Sequence, residues 1–209
     1  SYQKVIIDNV APTVNGYYSN DKKTVKVIAT DDAQTDTELG KATISGLWKI
    51  TDTSDSTLGD VISATSAAGH SVKGGVGGTD GTTTYTGVRT STGDISTVKV
   101  YDHAGNVTTK LLSEDPGVDS ATVSYNQGTY TITATDSGSG IEKMVQEGTD
   151  ILLDASAQFG SSGMAEGVAS AVYVAEGPIN IAGVDVYDAV GNMMNKSLDH
   201  TAPSVMYGY

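Results

Sequence analysis

The sequence predicts an all-β chain built as two tandem antiparallel β-sandwiches. Three observations lead there: a composition suited to strands, short runs that alternate apolar and polar residues, and a set of turn motifs that recurs at domain spacing. Thr, Ser, Gly, Val and Ala dominate, with eleven tyrosines, and the remaining large aromatics are one Trp48 and one Phe159. Thr, Val and Tyr fit pleated strands, and 25 glycines supply turns. A chain of 209 residues is long enough for two cores of about 100 residues each.

Taken in order, the opening SYQKVIID (1–8) stands before Pro12 as NVTTKLLSED (106–115) stands before Pro116 and NMMNKSLD (192–199) before Pro203. It reads as the remnant of a preceding repeat's last strand. The first domain is expected over 9–114. It opens with DNVAPTV (8–14), where proline at a strand start costs no ladder bond. TVKVIAT (24–30) alternates as a half-buried strand must, and Asp31 and Asp32 follow it. In ISGLWKI (44–50), spacing from Ile44 and Ile50 puts Trp48 in the core between sheets; the competing reading is an exposed carbohydrate-stacking platform. Residues 52–93 read as a Gly/Thr-rich loop or long hairpin, and GGVGGTDG (74–81) lacks the strand-loop-helix context of a phosphate cradle. VKVYDHAGN (98–106) closes the domain as a strand, a turn and the start of the last strand.

The second domain, 115–199, repeats the order. DPGVDSATV (115–123) echoes the linker, YTITAT (130–135) is followed by Asp136, and VDVYDAVGN (184–192) restates strand and turn. Between them lies an alanine-rich stretch in which a short helical turn is expected near 151–158. DHTAPSV (199–205) begins a third copy, so 200–209 is the start of a following repeat. The Pro12-to-Asp102 span exceeds that from Pro116 to Asp188, and the excess is expected within 52–93.

With APTV (11–14), APSV (202–205), ATDSGSGI (134–141), YDHAGN (101–106) and YDAVGN (187–192) in place, the chain resembles the bacterial immunoglobulin-like repeats of large surface adhesins, S-layer proteins and cell-wall-linked enzymes. In that family a D-x-x-A-P linker opens a domain, an A-T-D-x-x-S-G-I stretch ends an early strand, and a D-x-x-G-N hairpin joins the last two strands. The resemblance implies immunoglobulin-like sandwiches on an extracellular cell surface or cell wall. Two departures stand out: the middle linker, EDPGVD, lacks Ala-Pro, and the first domain has ATDDAQTDTELG where the second has the Ser-Gly-Ile form.

Twenty-five acidic residues against twelve basic ones leave a formal charge of −13. The summed field repels phosphate backbones and anionic headgroups, which argues against nucleic-acid partners. No apolar run reaches the roughly 18 residues that a membrane helix needs, so direct membrane insertion is not expected. Without cysteine there is neither disulfide nor thiolate site. The chain starts at Ser1 with no leader, as expected if a signal peptide was removed or the piece belongs to something longer.

The recurring aspartates have two readings. As turn residues, Asp102 and Asp188 accept backbone N–H bonds. As ligands, Asp31, Asp32 and Asp102 with Asp8 or Asp115, and Asp136, Asp188 and Asp199 in the second domain, supply the oxygens that Ca²⁺ takes at about 2.3–2.6 Å. No EF-hand loop is present. His70, His103 and His200 lie far apart, and neither H-E-x-x-H nor G-x-S-x-G occurs, so catalysis is not expected. A Lys26–Asn106 isopeptide bond is disfavoured because Lys26 falls on the polar face, and the recurring Tyr101 and Tyr187 suggest packing. The expected function is a non-enzymatic stalk, spacer or lattice segment, calcium-stiffened, with neighbouring repeats as partners. The alternative is an adhesin module that binds a glycan or host protein through the 52–93 loop, and a third reading is a fibre subunit in which SYQKVIID inserts into a neighbour.

Overall fold

The computed structural model of the chain describes residues 8–32, 34–36, 41–60, 84–151, 153, 164–176 and 181–198. Every regular element among them is a strand. The chain divides into two compact units, Ser1–Gly117 with Ala189–Asn192, and Val118–Asp188 with Met193–Tyr209. The segments expected as neighbouring repeats' remnants, the centre of the 52–93 stretch, and most of the expected turn near 151–158 lie outside the described residues.

In the first unit, β1 (Thr13–Tyr18), β2 (Thr24–Thr30), β7 (Thr84–Thr90) and β10 (Ser113–Glu114) form one sheet in the order β10-β1-β2-β7. The second sheet runs β6-β5-β8-β9, from β5 (Leu47–Thr51), β6 (Thr57–Asp60), β8 (Thr97–Asp102) and β9 (Val107–Leu111). A hairpin of β3 (Gln34–Asp36) and β4 (Lys41–Thr43) stands apart from both. Pairing is antiparallel except between β1 and β10. The predicted alternation of TVKVIAT is realised: Val25, Val27 and Ala29 are buried, and they share one core with Leu47, Ile50, Tyr85, Val98 and Val100. Each buried Val, Leu and Ile among them contributes about 1.5–3 kcal/mol by leaving water.

The second unit repeats the plan. β11 (Ser120–Asn126), β12 (Thr129–Thr135) and β15 (Ser170–Glu176) make a sheet ordered β11-β12-β15. Facing it is β14-β13-β16-β17, from β13 (Ile141–Gln146), β14 (Met164–Val168), β16 (Gly183–Asp188) and β17 (Met193–Ser197). Ile132, Ala134 and Ala171 of the first sheet pack with Ile141, Met144, Val184 and Val186 of the second. Both units cross between sheets at the same three places in strand order, and the first unit crosses a fourth time, from β9 to β10. That topology makes the chain two tandem immunoglobulin-like β-sandwiches.

The repeated D-x-x-G-N turns join β8 to β9 and β16 to β17, and Gly105 and Gly191 sit there at φ +93° and +90°, which side-chain-bearing residues rarely adopt. Two local expectations are corrected. The 52–93 stretch, expected as a loop or long hairpin, contains β6 and β7, which belong to different sheets and do not pair as a hairpin, and Tyr85 of β7 is 1% exposed. Trp48 is not a core residue, being 40% exposed. A bulge is the cause: Leu47 pairs with Asp102 and Lys49 with Tyr101, so Trp48 is the extra residue and alternation resumes one position late. Tyr101 and Tyr187 likewise lie half-buried on outer faces, each beneath a lysine ammonium.

Candidate metal centre

Three strand-end or linker positions meet in the first unit. Asp8 lies in the linker, Asp31 follows β2 of one sheet, and Asp102 ends β8 of the other. Each offers a carboxylate oxygen, and these atoms all lie within 4.8 Å of one another. All three residues are buried, Asp31 at 1% and Asp102 at 0% exposure. The reason is local: alternation in β8 buries Val98, Val100 and then Asp102 on the same inward face.

Their hydrogen bonds come from uncharged donors. The Val10 and Ser45 N–H groups donate to Asp8 at 3.1 and 2.8 Å. Asp31 Oδ2 accepts from the Gly46 N–H at 2.6 Å and from the Ser45 hydroxyl at 3.5 Å. Asp102 accepts from the Asn106 N–H at 2.8 Å and from Asn106 Nδ2 at 2.7 Å. That same amide nitrogen donates to the carbonyls of Asp8 and Val10 at 3.2 and 3.3 Å, tying turn to linker.

One oxygen is left over. Asp31 Oδ1 is buried and has no hydrogen-bond partner. Burial pushes the Asp31 carboxyl above its usual pKa, against the pull of the Gly46 N–H, and the charges of Asp8 and Asp102 push the same way. Burial also acts upward on Asp8, but the bonds from Val10 and Ser45 outweigh it and hold that carboxyl below the ordinary range. The pocket thus gathers negative charge, places no lysine, arginine or histidine among the hydrogen-bond donors described, and leaves a carboxylate oxygen unused. Such a donor set suits a hard divalent cation that takes oxygen ligands.

The second unit reuses the ties. Asp136, after β12, is buried and accepts from the Gly138 and Gly140 N–H groups at 2.7 and 2.8 Å. Asp188, ending β16, is fully buried. Asp136–Gly140 is the counterpart of Asp31–Gly46, but the partners are four residues apart in one unit and fifteen in the other. The difference is the β3–β4 segment, inserted between the halves of an A-T-D…S-G signature. Much of the first domain's excess length therefore lies here, outside the 52–93 stretch.

Of the predicted ligands, Asp8, Asp31 and Asp102 come together in the first unit, and the buried Asp136 and Asp188 of the second unit bring carboxylate oxygens within 4.8 Å of each other. Asp32 is exposed, and Asp199 lies outside the described residues. Asp115 is buried in the linker, where it accepts from the Gly117 N–H at 2.9 Å, and its carbonyl accepts from Asn192 Nδ2 at 3.3 Å. Ser45, Gly46 and Asn106 were not predicted as part of the site. The recurrence of Ser-Gly before β5 and β13, and of Asn after each turn glycine, is the signal that marks them.

No protein-family model and no curated protein matches the chain. Among solved structures, a marsupial T cell receptor chain is similar over 96% of this chain and 100% of its own, at 12% identity and a TM-score of 0.28. Another marsupial T cell receptor chain is similar over 90% of this chain and 61% of its own, at 12% identity and a TM-score of 0.23. The fold assignment rests on the strand order above and not on these distant likenesses.

Proposed function

We propose that the chain is a non-enzymatic structural segment of a bacterial extracellular surface protein, a stalk, spacer or lattice part made of tandem repeats, and that Ca²⁺ stiffens it at Asp8, Asp31 and Asp102. The observation that carries this reading is the use to which the repeated aspartates are put. In each unit an aspartate after the second strand is buried and bonded to the backbone just before the first strand of the facing sheet, β5 or β13, which is the chemistry of joining segments.

Calcium follows from the first unit's surplus of buried negative charge and from the orphaned Asp31 Oδ1. Asp8, Asp31 and Asp102 come from the linker and from both sheets, so an ion held by all three crosslinks parts that otherwise meet through apolar contact and hydrogen bonds. Ca²⁺ suits an irregular, carboxylate-rich cage better than Mg²⁺, which demands near-ideal octahedral geometry and keeps its water. The wider reading, of tandem repeats on a cell surface, is supported by the duplicated strand plan and the motifs that resemble bacterial surface repeats.

Single-molecule pulling of the chain tests the proposal. With millimolar Ca²⁺, one of the two unfolding events shifts to higher force relative to chelator, and the shift is absent in Asp31→Asn. Identical force distributions with and without Ca²⁺ overturn the stiffening role.

A further inference from the structure

The outer face of the first unit's β5–β8 pair carries a cluster that the fold does not need. The bulge at Trp48 turns both Trp48 and Lys49 outward. Trp48 stacks on His103, with ring centroids 6.3 Å apart and planes 28° from parallel, and meets Tyr101 edge-on at 6.5 Å. The Lys49 ammonium sits 4.4 Å from the Trp48 ring centroid and 4.8 Å from that of Tyr101. Beside it, Asp55 accepts from the Tyr101 hydroxyl at 2.9 Å and from Lys99 Nζ at 2.8 Å. Asp55 is held at φ +65° in the β5–β6 turn, an uncommon conformation for any residue but glycine.

The second unit supplies the internal control. β13 has the same bulge, with Ile141 opposite Asp188 and Lys143 opposite Tyr187. Lys143 lies 4.6 Å from the Tyr187 ring centroid, as Lys49 lies over Tyr101. Yet Trp48's position is taken by Glu142, which is buried, and the sequence position of His103 by Ala189. Bulge, lysine and tyrosine therefore belong to the scaffold, whereas the tryptophan and histidine are additions confined to one unit. An indole left 40% exposed contributes little to the core and marks a contact surface.

The geometry points to a binding site for a neutral glycan on this face, with the Trp48–His103 stack taking the C–H face of a sugar ring. Lys49 and Asp55 supply a hydrogen-bond donor and acceptor for its hydroxyls. The Lys49 ammonium lies against the two rings and near enough to Asp55 to act on its charge. Asp55 keeps lone pairs beyond those used by Tyr101 and Lys99. A donor beside an acceptor matches vicinal hydroxyls. A polyanionic glycan is disfavoured by the Asp55 carboxylate and by the chain's charge of −13. This site is on a sheet face and takes only Asp55, at the start of the 52–93 stretch, from that segment.

Because Trp48 is the chain's one tryptophan, its fluorescence reports on the site directly. The chain is titrated with cellohexaose, maltohexaose and mannohexaose, and with heparin and polygalacturonate as anionic controls. At least one neutral oligosaccharide is expected to shift the emission saturably, with the shift cut tenfold or more in affinity by His103→Ala and by Asp55→Asn. Calorimetry on Trp48→Ala, whose exposed position leaves its melting temperature within a few degrees of wild type, is expected to show no heat of binding. The proposal is overturned if no neutral sugar moves the emission, if only the anionic polymers do, or if Trp48→Ala still binds.

Discussion

Asp31 is the residue on which the site turns, because it combines full burial, an unused oxygen and two neighbouring carboxylates. Asp31→Asn keeps an oxygen for the Gly46 N–H and replaces the orphaned oxygen by an amide facing Asp8 and Asp102. Two opposite effects are expected: in chelator the variant melts a few degrees above wild type, since a buried repulsion is gone, and in Ca²⁺ it melts below. Differential scanning calorimetry in both buffers checks the crossover, and a variant less stable in both would show Asp31 to be a purely structural acceptor. Tyr85 makes a separate residue-scale prediction. Burial pushes its pKa up to about 12, although the Arg89 guanidinium pulls the other way. The unfolded chain loses this proton near pH 10 and the native state near 12, so between those values the native state binds more protons and stability falls as pH rises. Denaturant titrations from pH 9.5 to 12 should show that loss approaching about 2–3 kcal/mol, and Tyr85→Phe should remove that share of it.

At the scale of elements, β1 and the β2–β5 connection make contrasting predictions. Gly16 has φ +149°, and a Cβ there would fall inside contact distance of the Lys26 carbonyl oxygen across the β1–β2 ladder. Gly16→Ala should therefore cost roughly 2–4 kcal/mol, read as a lower denaturation midpoint at unchanged slope. The β2–β5 connection should tolerate more. Replacing residues 32–45 with Ser-Gly-Ser restores the four-residue Asp-to-Gly spacing of the second unit, and loop shortening is cheap when the ends already meet. The first unit should keep its cooperative transition; loss of that transition would show that the β3–β4 hairpin is integral to the fold. These elements also show what a sequence can disclose. TVKVIAT and VKVYD were legible because alternation buries one face, and Asp31 and Asp102 because they continue that alternation to the strand end. Trp48 was misplaced because a bulge adds one residue and leaves no mark on composition. β7 was hidden by the Gly/Thr-rich text before it, and the Ser45–Gly46 tie by the insertion separating it from Asp31.

At the scale of the whole molecule, the described residues form two buried clusters with no residue in common. Ile50→Ala in the first and Ile132→Ala in the second should each cost about 2–5 kcal/mol and should add, since the two residues have no partner in common. A double-mutant cycle checks this, and a coupling above about 0.5 kcal/mol would contradict independence. The cation, by contrast, should act on one core at the site described. The most direct test is a thermal melt of the exhaustively chelated chain, repeated with millimolar Ca²⁺ and with Mg²⁺. A site filled to a hundred times its Kd gains about 2.7 kcal/mol, which for a domain of this size is roughly a 10–20 °C rise. The prediction is a rise of that order in Ca²⁺, much smaller in Mg²⁺ and absent in Asp31→Asn. Superimposable melts in all three buffers would contradict the account and leave Asp8, Asp31 and Asp102 as turn and strand-end residues alone.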